Sequence, residues 1–256
     1  MSLLPEERVQ AIMAVLRRDG RLLVDAMAEE FGVSGETIRR DLKRLEKAGL
    51  LRRSHGGAVP LPPRQGEDLP FPARSVLNAG AKRKIAAAAA RHVQDSQSLM
   101  LDSSSTVHEV MPHLSERQGL TLITNSVALL SDPFSMPHKL LSVGGEWQRD
   151  LMTFRGPLAV DAIRRFHADL AFISVKALSP RSGLLVANAE EAELKRAFVE
   201  SARKTILLAD GDKFDGAGLV AFAELGAISY LITDRQPSEE WSALLDKAGV
   251  VVEIAV

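Results

Sequence analysis

The chain has 256 residues, more than one average domain needs, so either one large domain or a small one joined to a larger one is expected. With 46% hydrophobic and 25% charged residues the composition is globular, which excludes a disordered, collagen-like or disulfide-scaffold chain. There is no cysteine, which removes disulfides, thiolate catalysis and cysteine-ligated metals. No apolar run reaches the roughly 18 residues that span a bilayer, and Met1 to Arg8 lack a basic flank followed by an apolar stretch. No membrane partner is signalled, and the cytoplasm is the default location.

In chain order, Val9, Ile12, Met13 and Leu16 recur at helical spacing and predict a helix that ends near Gly20. Val24, Met27, Ala28 and Phe31 repeat the pattern up to Gly32. Ser34 is then placed to cap a third helix, whose buried stripe is Ile38, Leu42 and Leu45. Gly49 to Gly57 reads as an apolar strand start, two arginines and a Gly-Gly turn, the pattern of a wing. Five of the twelve prolines (Pro60, Pro62, Pro63, Pro70 and Pro72) then fall within thirteen residues, a run that resists both helix and central strand. The expected division is a winged helix-turn-helix over 1–58, a proline-rich linker over 59–75 and a second domain over 76–256.

The second domain alternates apolar runs with amphipathic segments, the signature of an α/β domain with a mostly parallel sheet. Expected strands are Leu99–Asp102, Thr121–Thr124, Leu140–Val143, Leu170–Ser174, Thr205–Ala209, Ser229–Thr233 and Val250–Ile254. Expected helices are Lys82–His92, Val107–Leu114, Leu158–Phe166, Glu190–Ala202 and Glu239–Ala248.

The net charge of -1 hides an asymmetry, because Val33 to Gly57 holds seven basic residues against three acidic ones. At about 100° per residue from Ile38, Arg39, Arg40, Lys43, Arg44 and Lys47 share the arc opposite the buried stripe. In a helix-turn-helix the second helix enters the major groove, which puts Glu36, Thr37, Arg39 and Arg40 nearest the bases, with Ser34 at the start of the helix also among the expected DNA-binding residues. Lys43, Arg44 and Lys47, with Arg52, Arg53 and His55 of the wing, suit phosphates. A solvated charged helix face is the alternative. Asp41, near the edge of the buried stripe, reads as a structural ion-pair partner instead.

The segment Ser34-Gly-Glu-Thr-Ile-Arg-Arg-Asp-Leu-Lys-Arg-Leu-Glu-Lys-Ala-Gly49, followed by Arg53-Ser-His-Gly-Gly-Ala58, resembles the signature of the DeoR family of bacterial sugar-metabolism regulators. The resemblance implies operator DNA as partner, usually with repression as the outcome. It also implies a C-terminal domain similar to ribose-5-phosphate isomerase that binds a phosphorylated sugar.

A looser resemblance runs through Leu122–Ser126, Gly144-Gly145, Glu191–Lys195 and Leu208–Phe214. It implies that Asp102 accepts a sugar hydroxyl and that Ser103, Ser104, Ser105 and Thr106 hold the phosphate. Thr124, Asn125, Gly144 and Gly145 would line the pocket, and Lys195 and Lys213 would add positive charge. Two departures stand out. Ser104 replaces a usual glycine, and Lys176 is brought near the pocket by the segment Ile173–Ser179. Competing readings stay open: helix capping for the serine loop, an i,i+4 pair for Glu191 and Lys195, and ordinary surface positions for Lys176 and Lys213.

His108 and His113 are five residues apart with Pro112 between them, which does not supply two ligands on one helical face. No metal, cofactor or catalytic residue is expected. One small reading module needs paired half-sites, so a homo-oligomer, dimer or tetramer, is expected through the second domain. The alternative function is a sugar-phosphate isomerase-like enzyme with an appended DNA module.

Overall fold

The computed structural model describes residues 5–61, 68–135 and 137–256, and the chain forms two compact units, Met1–Gly80 and Ala81–Val256. The first contains α1 (Pro5–Asp19), β1 (Leu22–Leu23), α2 (Val24–Phe31), α3 (Gly35–Lys47), β2 (Leu51–Ser54), β3 (Gly57–Pro60) and α4 (Phe71–Val76). The three stripes read from the sequence converge, with Ile12, Leu16, Phe31, Ile38, Leu42 and Leu45 all buried in one cluster. Gly32 ends α2 in the left-handed conformation at φ 63°, and Ser34 caps α3 by accepting the Thr37 N–H at 3.2 Å.

The strands pair antiparallel in the order β1-β3-β2, with Ser54 opposite Gly57. Each glycine of the turn has its own reason. Gly56 sits at φ 77°, and a Cβ on Gly57 would lie 2.0 Å from the Leu22 carbonyl oxygen, where β1 crosses β3.

The expected linker is not free of structure. Its C-terminal part forms α4, with proline in the first turn, where a missing N–H is harmless, and with Ala73 fully buried in the core of the first unit. Pro62 and Pro63 lie outside the described residues.

The second unit is entered within α5 (Ala79–Ala90) and continues through β4 (Ser98–Leu101), α6 (Ser105–His108), β5 (Thr121–Thr124), α7 (Val127–Leu130) and β6 (Lys139–Ser142). Next come β7 (Glu146–Gln148), β8 (Thr153–Arg155), α8 (Pro157–Ile163), β9 (Ala168–Ile173), β10 (Ala177–Ser179) and β11 (Gly183–Val186). The remainder is α9 (Ala189–Glu200), β12 (Ala202–Leu208), β13 (Val220–Ala223), β14 (Tyr230–Thr233), α10 (Glu239–Lys247) and β15 (Val251–Ile254).

All seven expected strands join one parallel sheet in the order β15-β14-β12-β9-β4-β5-β6. Alternate residues face opposite cores. Met100, Ala171, Ile173 and Leu207 pack with α8, α9 and α10 on one side, whereas Leu99, Leu101, Phe172 and Ile206 pack with α5 and Val107–Leu114 on the other.

The second unit also departs from expectation. The helix expected over Val107–Leu114 is broken into α6 and a separate 3-10 turn, Met111–Leu114, because Pro112 cannot continue an α-helix. The β7-β8 hairpin and the antiparallel sheet β10-β11-β13 lie outside the expected strands.

Candidate functional site

On α3 and the wing, Arg39, Arg40, Lys43, Arg44, Lys47, Arg52, Arg53 and His55 are all exposed. Among the described residues, Arg40, Lys43, Arg44, Lys47 and Arg52 have no carboxylate partner, so their charge is available to an external anion. Glu36 lies 3.8 Å from Arg39 in an exposed pair of little energetic weight. Ser34 and Thr37 share a 2.9 Å hydroxyl contact that sets the start of the helix.

Arg53 is committed differently. Its backbone N–H and its guanidinium donate to the two carboxylate oxygens of Glu46 at 2.8 and 2.6 Å, stapling β2 to the end of α3. The same two contacts, the backbone N–H foremost, hold the Glu46 carboxyl below its ordinary range. Asp41 makes the structural ion pair read from the sequence, with Arg8 of α1 at 2.8 Å. The result is a cationic surface on a rigidly docked helix and wing.

A second constellation lies at the carboxyl edge of the large sheet. From β4 the chain steps outward through β5 and β6, and from β9 it steps the opposite way through β12, β14 and β15. The order therefore reverses between β4 and β9, the place where parallel α/β sheets open a crevice for ligands.

Asp102 follows β4 at this point, 2% exposed. Its Oδ1 accepts the Ser104 N–H at 2.8 Å, and its Oδ2 accepts the Ser174 N–H at 2.9 Å and the Lys195 ammonium at 2.5 Å. Lys195, 5% exposed, also lies 3.8 Å from Glu191, whose other oxygen is 4.0 Å from buried Arg155. The α9 lysine makes the i,i+4 pair with Glu191 and reaches Asp102 more closely.

The serine loop is divided between structure and surface. Ser104 caps α6 by accepting the Val107 N–H at 3.2 Å, at an ordinary φ of -78°, so a glycine is not needed there. The Ser105 hydroxyl accepts from the Lys82 ammonium at 3.0 Å, and Thr106 is buried beside it. The Thr124 hydroxyl donates to the Leu101 carbonyl at 2.6 Å and accepts the Ser126 N–H at 3.0 Å, a role inside the fold. Asn125 donates through Nδ2 to Thr153 at 2.7 Å and to Ser103 at 3.4 Å, while its fully buried Oδ1 meets no donor among the described residues.

Gly144 and Gly145 follow β6 with φ of 66° and 115°. A Cβ on Gly145 would meet the Arg155 carbonyl oxygen at 2.5 Å, so this glycine admits the β8 backbone. Lys176 is exposed after β9, and Lys213 is half-buried in a 3-10 turn after β12; no contact ties the Lys213 side chain to the Asp102 cluster among the described residues.

Sequence reasoning missed Lys82, Glu191 as a site residue in its own right, and Arg155. A signal existed for the lysine. Lys82, Ile85, Ala86 and Ala89 form the buried stripe of α5, so a charge stands where the helical period calls for an apolar side chain. Arg155 carried no such signal, because it arrives on a three-residue strand that docks through the Phe154 N–H on the Asn125 carbonyl at 2.8 Å. The aromatic positions divide as well: Trp241 is core, its indole N–H shared between the Asp215 carboxylate oxygens, whereas Trp147 is 53% exposed beneath Arg149.

Two family models match the chain. A model described as the DeoR-like helix-turn-helix domain matches residues 8–62, and one described as the DeoR C terminal sensor domain matches residues 77–235. The chain is 33% identical over 250 residues to the HTH-type transcriptional regulator GlpR of Haloferax volcanii, covering 98% of each chain. It is 33% identical to the transcriptional repressor AccR of Agrobacterium fabrum, over 90% of this chain and 89% of that one. A solved ribose 5-phosphate isomerase A from Methanocaldococcus jannaschii covers 54% of this chain and 55% of its own with 17% identity and a TM-score of 0.39, a likeness too low to carry function. With both family models matched in order and relatives matched nearly end to end, the chain belongs to the DeoR family of transcriptional regulators.

Proposed function

We propose that the protein represses a carbohydrate-metabolism operon by binding operator DNA through residues 1–58, and that a phosphorylated sugar bound within residues 76–256 controls this affinity. The observation that carries the DNA half is the exposed cationic face of α3, where five cations of α3 and the wing lack carboxylate partners among the described residues. Arg40, near the start of that face, is assigned to base reading, because a guanidinium can donate two hydrogen bonds to the O6 and N7 of guanine. Lys43, Arg44, Lys47 and Arg52 are assigned to phosphates. In titrations on operator and random duplexes, Arg40→Ala weakens operator binding more than random binding; equal loss on both demotes Arg40 to a phosphate contact.

For the effector half, support comes from the topological switch point between β4 and β9 and from the hydroxyls, buried charges and one acceptor without a donor among the described residues, Asn125 Oδ1, that lie beside it. Hydroxyls and cations favour a phosphate ester over a neutral sugar. A ligand bound only by the folded state adds about 2.7 kcal/mol at a hundredfold excess over Kd, which thermal shift detects. Ser105→Ala combined with Thr106→Ala abolishes the shift and spares DNA binding. A double variant that still responds fully moves the ligand elsewhere.

The non-enzymatic reading rests on Asp102. An isomerase needs a carboxylate held for a substrate proton, whereas Asp102 accepts two backbone N–H groups and an ammonium. Turnover of pentose or hexosamine phosphates above the uncatalysed rate overturns it. The protein is also proposed to act as a symmetric homo-oligomer, since paired half-sites require two reading modules. A monomeric mass for the full chain at DNA-binding concentration contradicts this.

A further inference from the structure

We propose that β15 is the docking edge for a second copy of this chain, whose own β15 adds antiparallel across a two-fold axis at Val252 and joins the two parallel sheets into one. The proposal rests on the homo-oligomer reading above and names the surface that reading leaves open.

The two edges of the large sheet are built differently. α8, α9 and α10 cover one face and α5 with Val107–Leu114 the other, which leaves the edge strands β6 and β15. β6 is entered through exposed Pro137 and begins at exposed Lys139, and proline and lysine at an edge oppose pairing with another chain. β15 reads Val251-Val-Glu-Ile254, with no proline, no lysine and an unbroken register against β14. Val251 is 54% exposed on it.

The backbone of β15 shows which groups are on offer. The Val251 N–H donates to the Ser229 carbonyl at 3.1 Å and the Ala255 N–H to the Thr233 carbonyl at 2.8 Å, so Val251, Glu253 and Ala255 turn their polar groups toward β14. With a period of two, Val252 and Ile254 turn theirs outward. The Val250 N–H is taken by the Leu245 carbonyl at 2.9 Å, which leaves the Val250 carbonyl on the open side.

This row is complementary to itself. Antiparallel pairing about a two-fold axis normal to the sheet keeps each face on its own side, so each residue opposes one an even number of positions away. The axes that overlap most of the strand pass through Val252 and through Glu253. An axis at Glu253 sets two carboxylates opposite one another, which is unfavourable. An axis at Val252 sets Val252 against its own copy, Val251 against Glu253 and Val250 against Ile254. The Val252 groups then bond reciprocally, and each Ile254 N–H reaches the other copy's Val250 carbonyl. Glu253, the one charged residue of the strand, is already held by Arg91 at 2.6 Å and His92 at 2.7 Å, so no free carboxylate opposes the pairing.

The test uses the full chain, which has no cysteine of its own, so a single introduced cysteine reports only on its own position. Directly opposed residues that exchange hydrogen bonds lie about 5.5 Å apart at Cα, within disulfide reach. Val252→Cys therefore cross-links to a covalent dimer under mild oxidation, while Val251→Cys, more exposed but opposed to Glu253, cross-links far less. Val252→Pro removes the outward N–H from both copies and weakens dimerisation roughly tenfold or more by light scattering. Should Val252→Pro not fold, the two cysteine variants carry the test. A wild-type chain that is oligomeric, with Val252→Cys not cross-linking or Val251→Cys cross-linking equally well, overturns the β15 pairing and leaves the homo-oligomer reading standing. A wild-type chain that is monomeric at DNA-binding concentration removes both.

Discussion

The two sites use the same charged side chains in opposite ways. On α3 and the wing the cations are exposed and five of them have no carboxylate partner among the described residues, whereas Lys82, Arg155 and Lys195 are each 5% exposed and held among fixed partners. An exposed cation gains by displacing counterions from a polyanion, a gain that salt erodes. A buried cation is desolvated by the fold and holds a small ligand at a fixed place, with little screening. Exposure, more than residue type, therefore separates the two sets: the first is open to an external polyanion, and the second is held within the fold.

The largest expected contrast comes from removing one charge on each side. Lys195→Met leaves Asp102 buried without its ammonium and destabilises the second unit by about 3–5 kcal/mol, whereas Lys43→Met stays within about 0.5 kcal/mol of wild type. Denaturant unfolding of the full chain measures both, and equal effects would erase the contrast. Gly57→Ala comes next, because its Cβ would fall 2.0 Å from the Leu22 carbonyl oxygen. The overpacking costs about 1–3 kcal/mol in the first unit and loosens the wing.

Lys43→Met is silent in stability but not in DNA binding, where the slope of log K against log salt falls by about 0.9 if one phosphate contact is lost. The smallest effect is acidic. Arg53 holds the Glu46 carboxyl below its ordinary value of 4.5, so the stability contributed by this staple is present above that value and lost as pH falls through the lowered one. Glu46→Gln removes that acid-dependent part of wing stability, which amide exchange at Arg53 reports.

Much of the fold was legible because the first three helices carry a clear apolar period and the strands of the parallel sheet are short apolar runs. The stripes of α1, α2 and α3 and the seven strands of the parallel sheet all formed, although β12 begins at Ala202 instead of Thr205, where exposed Arg203 and Lys204 obscure the apolar pattern. The cationic face was equally legible, since one helix carries it. The buried site was only partly so. Asp102, Ser105 and Lys195 stand in recognisable segments, but Lys82 and Arg155 reach the cluster from α5 and from the β7-β8 hairpin, far away in sequence. Strands of three residues have no period to read, and α4 was hidden by the prolines around it.

The central claim is that the α3 face reads DNA sequence. Selecting duplexes from a random-sequence library with the full chain, and repeating the selection with Arg40→Ala, tests it directly. The account predicts that the wild-type chain enriches a defined sequence with a steep salt dependence, and that Arg40→Ala loses the enrichment while still binding duplex DNA. Enrichment of no sequence by the wild-type chain, or of the same sequence equally by both, would contradict it.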